Sequence, residues 1–143
     1  MKKLLVGSLV GFLFLFGCGG AGKYGDIKAF INDVIKTQEE FLTSIEKANS
    51  ADEMVVTINT FSEKILKLAQ QSNEIKKRYP DFEKWDKEPP AELKADIERL
   101  DAQAEKFGQV FLSEKIQKFY GDPKVQKALL DMSKRMEDEK FFK

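Results

Sequence analysis

The sequence predicts an all-α fold, an antiparallel bundle of three long helices plus a short C-terminal fourth helix. Three observations carry this prediction. Apolar residues recur at three- and four-residue steps through most of residues 26–143, the period of one face of a helix. One run is unusually regular: Met54, Ile58, Phe61, Ile65, Leu68, Ser72, Ile75 and Tyr79 step by 4, 3, 4, 3, 4, 3 and 4, a heptad seam over nearly four repeats. No segment alternates as a strand would. The β-branched pair Val55-Val56 lies inside the seam, so its strand preference is outvoted by the pattern around it.

The first helix is expected over roughly residues 26–48, with Asp26 as N-cap. Its stripe of Ile27, Phe30, Ile31, Val34, Ile35, Phe41, Leu42 and Ile45 is wide, so it should face two neighbours. Gln38 interrupts the stripe and is expected at its edge, with the amide in water. Residues 49–53 break and restart the chain, and Ser50 followed by Glu53 fits a capping box. The heptad seam forms the second helix, about 40 Å long at 1.5 Å per residue, and Pro80 ends it.

Residues 79–90, YPDFEKWDKEPP, form a proline-bounded connection carrying Phe82 and the chain's single tryptophan, Trp85. These aromatics read either as an exposed binding knob or as a plug folded over the end of the bundle. The plug is the expectation, because large aromatics are mostly buried. A third long helix should open after Pro89-Pro90, with Leu93, Ile97, Leu100, Ala104, Phe107 and Phe111 on its inner face. The stripe then rotates by about 100°, one residue of helix, onto Leu112, Ile116 and Phe119, just past Gly108. Gly121-Asp122-Pro123 marks a boundary, with Asp122 as N-cap and Pro123 at the first helical position. The short fourth helix carries Val125, Ala128, Leu129, Met132 and Met136, and Phe141-Phe142 follow near the end.

Ahead of the helices, Lys2 and Lys3 form a charged start and Leu4 to Phe16 an almost unbroken apolar run. That layout is secretory, and the run is shorter than the ~20 residues a membrane span needs. The run closes on Leu15-Phe16-Gly17-Cys18, with the only cysteine of the chain. Leu at −3, Gly at −1 and Cys at +1 resemble the lipobox of bacterial lipoproteins. The resemblance covers this segment alone. It implies that residues 1–17 are a removed signal peptide, that Cys18 is lipidated, and that three acyl chains such as palmitate anchor the protein. Gly19 in place of Asp resembles cargo sent to the outer membrane of Gram-negative cells. Residues 18–25, CGGAGKYG, read as a Gly-rich tether, and residues 26–143 as the bundle domain.

Removal of residues 1–17 leaves 126 of the 143 residues and takes away Lys2 and Lys3, so 22 basic residues face 24 acidic ones, a net charge of −2. That length suits one domain, and no basic face invites nucleic acid. Histidine is absent, which removes the commonest general base and the commonest transition-metal ligand. Di-iron and haem sites built on histidine are excluded with it. Met132 and Met136, at i and i+4, read as core filling rather than a thioether metal site. No Gly-rich phosphate loop or calcium loop is present. The expectation is therefore a chain without catalytic residues, metal or cofactor.

Two functions fit these residues. The first is a lipid-anchored, non-catalytic interaction or structural module of the cell envelope. Its membrane contact is the lipid on Cys18, its partner is an envelope protein, and its contact candidates are Phe82, Trp85, Phe141 and Phe142. The alternative is a periplasmic carrier or sensor of apolar ligands, with Phe41, Phe61, Phe107 and Phe111 lining a slot between helices. Filling of that slot by the rings themselves is the simpler expectation.

Overall fold

The computed structural model describes residues 22–85 and 87–138. They form helices α1 (Gly25–Lys47), α2 (Ala51–Arg78), α3 (Lys94–Val110), α4 (Glu114–Tyr120) and α5 (Pro123–Asp138), with a single 3₁₀ turn at Phe82–Lys84. No strand occurs among the described residues. The fold is an all-α bundle, as the periodicity predicts.

α1 and α2 form an antiparallel hairpin. Its turn is set by a variant of the predicted capping box. Ser50 Oγ accepts the Glu53 N–H at 3.2 Å, and the Glu53 carboxylate reaches back to the Asn49 N–H at 2.7 Å. Replacing Ser50 by alanine orphans the Glu53 amide and is expected to lower stability by about 1 kcal/mol. Urea unfolding of the domain measures this, and Ser50→Asp, which restores an acceptor, should recover most of the loss.

α3 runs alongside α1 in the same direction. Lys28 faces Asp96 at 3.6 Å, Arg99 donates to the Asn32 side chain at 3.3 Å, and the Phe41 and Phe107 rings meet further along. α4 packs Ile116 and Phe119 into the cluster that holds Ile45, Ala48 and Met54 at the hairpin's turn. α5 then returns along α2, starting where Lys124 pairs with Asp52 at 2.7 Å. Asp122 caps it as predicted, accepting the Lys124 N–H at 2.8 Å.

The seam of α2 is buried along its length, with Ser72 and Tyr79 half-buried. It joins two apolar clusters. The upper one gathers Phe41, Ile45, Met54, Ile58, Phe61, Ile116 and Val125. The lower one gathers Tyr24, Ile27, Ile31, Ile35, Ile75 and Leu93. We call the end of the bundle holding Tyr24 the near pole, and the end closed by α4 the far pole.

Four expectations need correction. The third long helix is broken at residues 111–113, because Ser113 turns extended and its hydroxyl caps α4 by accepting the Ile116 N–H at 3.5 Å. α5, at 16 residues, is consequently almost as long as α3, at 17. Asp26 lies inside α1 rather than at its cap; Tyr24 holds the cap position and makes no side-chain cap bond. On α3 the contact stripe drifts to Gln103, which is buried, while Ala104 is exposed. Steps of three and four both keep a helix face, and near this level α3 meets α2 as well as α1, through Phe107 against Phe61 and Phe41. Leu112, expected on the inner face, falls in the break and is 80% exposed.

Candidate functional site

The predicted aromatic plug forms at the near pole. Chain reversal after Pro80 lays the 3₁₀ turn across the ends of α1 and α2. Trp85 meets Tyr24 edge-on at 5.4 Å between centroids, Phe82 at 5.6 Å and Tyr79 at 5.7 Å. Phe82 and Trp85 are half-buried, and both pack against the cluster that holds fully buried Leu93. Tyr24, assigned by sequence to the tether, is buried in this plug, with the Lys23 ammonium over its ring at 5.0 Å.

Asp26 ties the pole together. Its carboxylate accepts the Ile27 N–H at 3.0 Å and Arg78 Nη1 at 2.5 Å, and the Tyr79 hydroxyl lies 3.1 Å from it. Burial raises the Tyr79 phenol above its ordinary pKa, and the hydrogen bond to Asp26 and that residue's charge add to the rise. Three further acids here are paired: Asp81 with Lys84 at 2.7 Å, Glu83 with Lys76 at 3.0 Å and Glu74 with Lys77 at 2.7 Å. Phe141 and Phe142 lie outside the described residues, as does Cys18.

The four phenylalanines of the expected slot do converge. Phe41 sits 4.3 Å from Phe61, 5.5 Å from Phe107 and 6.1 Å from Phe111, and Phe107 meets Phe111 edge-on at 5.3 Å. These are ring-packing distances, so the rings occupy the space between them. A shallow dent of about 120 Å³ reaches the outer side of Phe41 and Phe61, walled by Thr57, Thr60 and the Glu40–Lys64 ion pair. Lys64 holds the Glu40 carboxyl below its usual range.

A larger open groove of about 830 Å³ runs between the lower halves of α1 and α2. Phe30 and Ile75 line it together with Asp33 and Lys67. Among the described residues no group of three histidine, cysteine or carboxylate side chains is placed to hold a metal ion, and no helix is long and apolar enough to cross a membrane.

Two features escaped the sequence. Gln38 Oε1, Ser62 Oγ and Gln103 Nε2 are buried with no partner among the described residues. Each lies within about a turn of a quartet ring along its own helix: Gln38 of Phe41, Ser62 of Phe61 and Gln103 of Phe107. Gln38 is half-buried, as a residue at the stripe edge would be, but its amide oxygen is shielded from water, which corrects that part of the expectation. The second is a set of exposed apolar side chains toward the far pole: Leu112 at 80%, Val56 at 65% and Tyr120 at 54%. Leu112 and Ile116 carry similar signals in sequence, and only the cap at Ser113 separates the exposed one from the buried one.

Comparison with protein-family models, with curated proteins and with solved structures finds no match.

Proposed function

We propose that this chain is a lipid-anchored lipoprotein of the cell envelope, held by acylated Cys18 at the outer membrane of a Gram-negative cell. Its bundle is a non-catalytic module that engages another envelope protein. The observation that carries this reading is the placement of Leu15-Phe16-Gly17-Cys18 at the close of the charged-then-apolar start, seven residues before α1 opens at Gly25. A leader, an attachment residue and a short link to a folded domain follow one another without spare chain.

The far pole supplies the contact surface. α2 is 28 residues long, about 42 Å, and the tether leaves from the opposite end. Leu112, Tyr120 and Val56 therefore project away from the anchor. Isolated exposed apolar residues, such as Leu130 on α5, are ordinary; the three on the half of the bundle away from the anchor are the docking candidates. Phe82 and Trp85 belong to the near pole, beside the anchor, where they pack against the lower cluster. The apolar-carrier reading gains nothing from the phenylalanine quartet, because its rings fill the space a ligand would take.

Site-specific photo-crosslinking in the native cells tests the module. A crosslinker at Leu112 or Tyr120 is expected to give one discrete adduct, and one at Glu63, on the exposed side of α2, is expected to give none. Free monomer from all three positions would overturn the reading.

A further inference from the structure

We propose that the near pole is a membrane seat: Phe82 and Trp85, with Tyr79 beside them and buried Tyr24 behind, rest on the lipid–water interface of the bilayer that holds the anchor. This rests on the lipid-anchor reading and specifies what the bundle does beside it.

The length of chain ahead of the fold limits where this pole can go. Lys23 follows Cys18 by five residues, so even a fully extended link spans only about 20 Å. The plug begins at Tyr24, without further slack. The end of the bundle that must stay near the lipid is thus the end where two tyrosines and the only tryptophan cluster. Tryptophan and tyrosine favour that interface because an apolar body and a polar edge are both satisfied there. Phe82 and Trp85 keep part of their rings uncovered, which a wholly internal plug would not require.

The charges at the pole fit the same placement. A bare carboxylate opposes approach to lipid, and four of the carboxylates here, Asp26, Glu74, Asp81 and Glu83, are each paired with a lysine or arginine. Glu88 and Glu92 stand on the exposed stretch before α3, with Lys87 and Lys94 close in sequence. Among the described residues both signs are interspersed at this pole. The seat is therefore aromatic in origin and should act on zwitterionic lipid as it does on anionic lipid.

Trp85, the only tryptophan of the chain, is the probe. Full-length protein purified from its own cells is reconstituted into phosphatidylethanolamine–phosphatidylglycerol vesicles, with and without nitroxide-labelled headgroups. Trp85 emission should fall by at least about twofold with the label, as for an interfacial tryptophan. A Trp85→Phe, Leu112→Trp double variant, which moves the fluorophore to the far pole, should lose almost none. Unquenched Trp85 in protein that floats with the vesicles would overturn the seat and leave the anchor standing. Equal quenching of both fluorophores would overturn it too, since the bundle would then lie flat. Protein that carries no acyl mass and does not float would overturn the anchor and the seat together.

Discussion

Truncating Phe61 to alanine is expected to lower the stability of the domain by about 3–5 kcal/mol. Phe61 is 5% exposed and packs 4.3 Å from Phe41 and 5.3 Å from Phe107, so it links α2 to both α1 and α3. Its loss removes the transfer energy of the ring, opens a cavity and breaks two aromatic contacts worth roughly 0.5–1.5 kcal/mol each. A domain of this size has about 5–15 kcal/mol in all, so the change should depress the melting temperature by roughly 10–20 °C. Urea unfolding of the chain lacking residues 1–21 measures it. Phe61→Leu, which keeps most of the volume, should lose much less. A loss below about 1 kcal/mol for the alanine variant, the level of a surface change, would mean that the quartet is not packed as described.

Replacing Cys18 by serine is expected to abolish acylation completely. Each buried methylene contributes about 0.8 kcal/mol of membrane affinity, so one chain holds reversibly and several hold durably. Wild-type protein should incorporate labelled palmitate and show an intact mass that lacks residues 1–17 and includes lipid. The Cys18→Ser chain should incorporate none. A free thiol at Cys18 in wild-type protein would end the lipoprotein reading, and with it the orientation argued for the bundle.

The parts of the fold that could be read from sequence are those whose information is local. The seam of α2, its Ser50 cap and its stop at Pro80 are all encoded within a few residues of where they act. The aromatic plug was legible because large rings between prolines have few places to go. The break between α3 and α4 was only hinted at. The stripe rotates near Leu112, but a rotated stripe also describes a continuous helix that meets a new partner. Gly108 drew attention to the wrong turn, since the break falls at Ser113, where a hydroxyl can cap. Burial of Gln103, and of the Gln38 amide oxygen, was not legible. Polarity argues for exposure, and only the convergence of three helices overrides it. Asp26 was misplaced for a related reason: a capping residue and a residue that binds a distant arginine look alike in sequence.

The phenylalanine quartet bears on how the helices find their alignment. The seam of α2 repeats every seven residues, so sliding it by one repeat against α1 would still set apolar against apolar. Such a slip, about 10 Å along the axis, would bring Met54 or Leu68 to the place of Phe61 and lose its ring contacts with Phe41 and Phe107, worth roughly 0.5–1.5 kcal/mol each. A repetitive rod thereby acquires one non-repeating notch, which works as a locating pin and singles out one assembly among several that greasiness alone would tolerate.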